Sequence, residues 1–129
     1  MASYWEGKPH MAAWIRDHIK AGGSCLDVGA CDGVWADVLQ GWLHMDAVEI
    51  FEPNIQEHNL ADKYEKVYCA DIRKLKYKKH YDLIIFGDVL EHMTVKEAQA
   101  VLRYAAKHSD DYIIGVPFQY KQEAIYGNP

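Results

Sequence analysis

The amino-acid sequence predicts an α/β domain, a doubly wound and mostly parallel sheet of about five strands, and three observations carry that prediction. Helix and strand signals alternate along the chain without repeats or low-complexity segments, the pattern of a parallel sheet covered by helices. Tyr81-Asp82-Leu83-Ile84-Ile85-Phe86-Gly87 is an apolar run typical of a strand buried on both faces, so it belongs at the centre of the sheet. Cys25 to Trp35 reads as a buried strand, a tight glycine turn and a helix start. Glycine at 29 and 33 frees the backbone angles and keeps side chains out of the space between main chain and ligand.

The elements follow in order. Pro9 suits a first helical turn, and Met11, Trp14, Ile15, His18 and Ile19 fall at helical spacing before Gly22-Gly23 ends the helix. Trp14 is expected to pack on the sheet, while Tyr4 and Trp5 are candidates for a lid over the site. Leu26 to Val28 makes the first strand. Val34 to Gln40 follows as a helix with Val34, Val38 and Leu39 inward and Gly41 at its carboxyl cap. Ala47 to Phe51 makes the second strand. Asn54 is a good amino cap for a helix to about Leu60, and Val67 to Ala70 makes a short third strand. Thr94 caps a helix through Lys107 with Val95, Ala98, Val101, Leu102 and Ala105 on one face, and Tyr112 to Val116 makes a fifth strand stopped by Pro117.

Composition narrows the class. The 129 residues suit a single domain over 1–129, half of them hydrophobic and 26% charged, with no apolar run long enough to span a bilayer. The amino terminus lacks the continuous apolar stretch of a secretory signal, so the expected location is cytoplasmic and no membrane partner is expected. Cys25, Cys31 and Cys69 are odd in number and without CxxC spacing, hence thiols and not zinc ligands. A net charge of −5 argues against a nucleic-acid footprint over the whole surface. The local exception is Arg73, Lys74, Lys76, Lys78 and Lys79, a run read as a solvated loop.

In a doubly wound sheet the ligand crevice lies at the carboxyl ends of the strands, near the switch in strand order. Asp27, Glu49, Asp71 and Asp88 each fall at or just beyond a predicted strand end. No element carries a metal-ligand spacing, and no metal is expected. A ligand with sugar hydroxyls and a positive charge fits four carboxylates better, since carboxylates accept from hydroxyls and offset a cation.

These residues resemble the motifs of the class I S-adenosylmethionine-dependent methyltransferases, in order, over roughly residues 25–117. Asp27-Val28-Gly29-Ala30-Cys31-Asp32-Gly33 is similar to the first motif, whose glycine turn holds the methionine part of the cofactor. Ala47-Val48-Glu49-Ile50 resembles the second-strand motif, whose acid takes the ribose hydroxyls, and Cys69-Ala70-Asp71-Ile72 the third, where the aspartate and its apolar neighbour meet the adenine. Tyr81 to His92 resembles the fourth-strand segment of the subgroup with a Leu-Glu-His signature. The resemblance implies a Rossmann-like fold and S-adenosyl-L-methionine as cofactor. It places Asp27, Gly29, Ala30, Asp32, Gly33, Glu49, Ile50, Asp71, Ile72 and Asp88 around that cofactor. Cys31 stands where the family often has glycine, and Glu52 in Phe51-Glu52-Pro53-Asn54 competes with Glu49 for the ribose. The family fold has seven strands, so the C-terminal strands are expected to be missing. The edge beside strand five would then be open to pairing with another copy.

The expected reaction is methyl transfer to a small-molecule acceptor, where the protein mainly aligns the acceptor and excludes water. If a hydroxyl accepts the methyl, His92 is the candidate base, with Asp88 facing the methyl region. A nicotinamide dehydrogenase would need glycines where Cys31 and Val34 stand. The remaining alternative is a non-catalytic module of the same fold, used for cofactor binding or assembly.

Overall fold

The structure, a computed structural model, describes residues 8–39 and 41–115. Tyr4 and Trp5, Gln40, and the stretch from Val116 onward lie outside the described residues. One sheet of five parallel strands organises the chain in the order β3-β2-β1-β4-β5. The strands are β1 (Ser24–Val28), β2 (His44–Val48), β3 (Lys66–Tyr68), β4 (Tyr81–Gly87) and β5 (Ser109–Gly115). Order reverses between β1 and β4, which places the switch point at the carboxyl ends of those two strands.

Among the described residues five α-helices cover the faces: α1 (Lys8–His18), α2 (Val34–Val38), α3 (Glu52–Glu57), α4 (Leu60–Lys63) and α5 (Val95–Lys107). Ala12, Ile15, Val34, Leu39, Leu60 and Tyr64 pack on one face against Cys25, Leu83 and Ile85. On the other face Val101 and Ala105 of α5, with Tyr77, pack against Leu26, Val28, Ile84 and Phe86. Alternate residues of β4 thus feed opposite cores, as the period of two requires. The apolar run of β4 is buried on both sides, as its composition predicts.

Several elements differ from their sequence reading. Strand β2 begins at His44 and ends at Val48, because its partner β1 ends at Val28 and the ladder has nothing further to pair with. Ile50 and Phe51 therefore leave the sheet, 63% and 58% exposed. Pro53 sits in the first turn of α3, which starts at Glu52, so Asn54 is inside the helix and not its cap. Asn59, left-handed at φ 52°, separates α3 from α4. In α1 the inward face is Ala12 and Ile15, continued by Ile19 just after the helix. Trp14 does not pack on the sheet: it is exposed and stacks on His18 with ring centroids 4.2 Å apart. Strand β5 starts three residues earlier than Tyr112. Among the described residues it is an edge strand, with Tyr112 and Ile114 exposed. No described helix is long and apolar enough to cross a membrane.

Candidate functional site

The turn leaving β1 is held by backbone bonds from Gly29 and Ala30 to the Val48 carbonyl, and from Gly33 to Ala30. Its chain is left-handed at Gly29 (φ 76°), Cys31 (φ 54°) and Gly33 (φ 77°). A Cβ at Gly29 would fall on the Val89 Cγ2 methyl, and one at Gly33 would lie 2.9 Å from Lys63 Cδ. Both missing Cβ atoms thus make room for protein: Val89 after β4 and Lys63 of α4 close onto the turn. The sequence reading assigns the missing side chains to the approach of a ligand; close approach of Val89 and Lys63 requires them as well.

Glu49, the residue after β2, is 5% exposed and ties this turn to the next loop. Its Oε1 accepts the Cys31 amide at 2.8 Å. Its Oε2 accepts the Phe51 amide at 3.0 Å and Asn54 Nδ2 at 3.3 Å. A carboxylate offers about four acceptor positions, so three donors fix it and leave one for a ligand hydroxyl. Cys31 is left-handed at the point where its amide meets Glu49. Glu52 is exposed at the start of α3.

Asp27 takes a different place from the crevice-facing one expected for it. It is fully buried, and its Oδ2 accepts the Tyr64 hydroxyl at 2.5 Å. Burial, with the Asp27 charge beside it, pushes the Tyr64 phenol well above its ordinary range, so Tyr64 stays protonated as the donor. Tyr64→Phe removes that donor from a buried carboxylate; we expect a loss of about 2 kcal/mol. Urea unfolding of the two proteins measures it, and an unchanged midpoint would show that Tyr64 does not hold Asp27.

At the end of β4, Asp88 is left-handed (φ 54°) and its amide donates to the Gly115 carbonyl at 2.9 Å. Non-glycine residues adopt this conformation at a cost of about 1 kcal/mol, and such residues concentrate at functional sites. A single 3-10 turn, Leu90–His92, follows. Burial raises the Glu91 carboxyl above its usual range, and its Oε1 is buried without a hydrogen-bond partner. Its Oε2 lies 3.6 Å from His92 Nε2, whose side chain is 76% exposed.

Of the remaining predicted residues, Asp32 accepts the Val34 amide with Oδ1 at 3.3 Å, a bond that steadies the start of α2. Asp71 lies beyond β3, where Arg73 binds both its carboxylate oxygens and holds its carboxyl below the usual range. Ile72 packs against the α5 core. The structure therefore brings Gly29, Cys31 and Glu49 together with Val89 at the switch point, and places Asp71 and Ile72 toward the β3 edge. Tyr64, Phe51, Asn54 and Val89 are residues of this site that the sequence reading does not assign to it. A depression of about 290 Å³ lies elsewhere, between α2, α4 and the amino half of β2, lined by Asp37, Met45, Asp62 and Tyr64. Among the described residues, no group of three His, Cys, Asp or Glu is arranged to hold a metal ion.

A family model described as a methyltransferase domain matches residues 5–111. The chain belongs to that methyltransferase family. No curated relative matches it. Among solved structures, a methyltransferase domain of the same fold occurs in an S-adenosylmethionine-dependent methyltransferase from Clostridium acetobutylicum, with a TM-score of 0.76 and 16% identity over 99% of this chain and 56% of that one. Another is S-adenosylmethionine-bound CalS10 from Micromonospora echinaspora, an amino pentose methyltransferase of calicheamicin biosynthesis. Its TM-score is 0.72 at 16% identity, over 90% of this chain and 52% of that one. The magnesium protoporphyrin IX methyltransferase of Synechocystis, with bound S-adenosylmethionine, gives 0.70 at 22% identity over 84% and 56%. At these identities the likeness is one of fold, and the chain spans little more than half of each of these methyltransferases.

Proposed function

We propose that this methyltransferase domain binds S-adenosyl-L-methionine at the carboxyl ends of β1, β2 and β4 and transfers its methyl group to a small-molecule acceptor. The observation that carries this reading is the Glu49 carboxylate, fixed by three donors between the left-handed turn and the exposed pair Ile50 and Phe51. The donor set fits the cofactor: one open acceptor position for a ribose hydroxyl, and apolar side chains beside it for a flat base.

In this reading the turn Gly29, Ala30, Asp32 and Gly33 receives the methionine part, with Asp27 holding the turn from beneath. Glu49 orients the ribose, and Ile50, Phe51 and, from the β3 side, Asp71 and Ile72 border the adenine. When bound, the cofactor supplies a methyl group on a sulfonium that is already a good leaving group. Asp88 faces that methyl region. His92 Nε2 accepts the proton of an acceptor hydroxyl, with the Glu91 carboxyl 3.6 Å from that nitrogen.

Transfer of a labelled methyl group to a panel of sugar amines, phenols and carboxylates tests the proposal. Transfer that falls by at least about tenfold in His92→Ala supports it with a hydroxyl acceptor. Cofactor binding without transfer to any acceptor would favour a non-catalytic binding module.

A further inference from the structure

The charges of this chain are sorted by layer. On one side of the sheet, α1 to α4 carry three Lys or Arg against five Asp or Glu. On the other, residues 69–80 and α5 carry eight against two, in a chain of net charge −5. Both of those carboxylates, Asp71 and Glu97, are bound by the one guanidinium of Arg73. Apart from Arg73 and Lys79, the cations of this layer form no ion pair among the described residues.

The segment and the helix form one continuous surface. Tyr77 packs on Tyr104 with ring centroids 4.8 Å apart, and the Tyr104 hydroxyl donates to the Tyr77 carbonyl at 2.5 Å. Lysine ammonium groups are laid over half-buried or buried rings: Lys66 over Tyr68 at 4.8 Å, Lys76 over Tyr104 at 5.0 Å and Lys79 over Tyr81 at 5.0 Å. Such stacking restrains the lysine stems and leaves the charge in water. Lys96, Arg103 and Lys107 are exposed at intervals of seven and four residues, one face of α5. The cationic track therefore runs the length of α5, about 20 Å.

We propose that this layer is a docking surface for the phosphodiester backbone of a nucleic acid, bound without regard to sequence. A track of this length matches a linear polyanion, where a small anion would need only one point of charge. An acidic protein fits less well, because protein interfaces centre on exposed aromatic or aliphatic anchors, and Val95 is the only large apolar side chain exposed on these elements. The five acidic side chains of α1 to α4 lie across the sheet, and the carboxylates that border the layer, Asp46 at Lys79 and Asp110 at His80, stand at the end of the segment away from Lys76 and Arg103.

Fluorescence anisotropy of the intact chain with a labelled single-stranded oligonucleotide of about 20 nucleotides tests it. Binding is expected at about 50 mM salt, with at least a tenfold loss of affinity by about 200 mM as counterions are released. The triple variant Lys76→Glu, Lys78→Glu, Arg103→Glu is expected to bind at least about tenfold more weakly with the circular dichroism of the parent. A milder set that only removes charge, Lys74→Gln, Lys96→Gln and Lys107→Gln, repeats the test should the first set not fold. No binding at low salt, or folded variants that bind like the parent, would overturn the proposal. Equal competition by polyglutamate of matched charge would overturn it in favour of an acidic protein.

Discussion

Gly29→Ala is expected to cost about 3 kcal/mol of folding stability and to abolish cofactor binding. Two separate causes add at this position. A residue with a Cβ resists φ 76°, at about 1–2 kcal/mol. The new methyl would also overlap Val89 Cγ2 and lie 3.1 Å from the Gly87 carbonyl. The loop after β4 must then retreat from the turn, and the crevice between them changes shape. Gly22 separates the two causes, because it has φ 86° but nothing within 4 Å of an added Cβ. Gly22→Ala should show only the dihedral cost, about 1 kcal/mol. Adding Val89→Ala to Gly29→Ala should restore the steric part alone. Equal urea midpoints for Gly22→Ala and Gly29→Ala would show that Val89 does not press on the turn.

Glu49→Gln is expected to lower cofactor affinity by at least about tenfold and stability by about 2 kcal/mol. An amide keeps the shape but presents a donor where the carboxylate accepted. Whichever way it is turned, its NH2 faces either the Cys31 amide or the Phe51 amide and Asn54 Nδ2. One of the two loops that Glu49 joins is then released. Glu52→Gln, on the exposed start of α3, is expected to change affinity by less than about threefold. Titration calorimetry on both variants checks the ranking. The reverse order would transfer the ribose role to Glu52.

What the sequence made legible follows from the range of the forces involved. β4 is readable to the residue because Tyr81–Gly87 is a run with only one charge, and an unbroken apolar run has few other places to go. The amino end of α5 is equally clear, since Thr94 accepts the Glu97 amide and Glu97 returns the bond, a local exchange within four residues. The end of β2 was hidden for the opposite reason. Ile50 and Phe51 are good strand residues, and only the turn of the neighbouring β1 at Gly29 removes their pairing partner. Asn54 reads as a helix cap from local rules, yet its amide is drawn to Glu49, five residues back.

The candidate site divides in the same way. Its backbone, the glycine turn and the residues at the strand ends, was visible because glycine spacing and strand periodicity are local. Its side-chain partners were not. Tyr64 reaches Asp27 across 37 residues of sequence, and Val89 meets Gly29 only because β4 lies beside β1. The basic run at residues 73–79 reads locally as an ordinary solvated loop, and only the packing of Tyr77 on Tyr104 sets it beside the like-charged α5.

Calorimetric titration of the intact chain with S-adenosylhomocysteine, the demethylated product, tests the central claim most directly. The account predicts one site per chain with micromolar or tighter affinity, lost in Gly29→Ala and weakened by at least about tenfold in Glu49→Gln. A folded chain that gives no binding heat up to about 1 mM ligand, or one whose binding survives both substitutions, would contradict it.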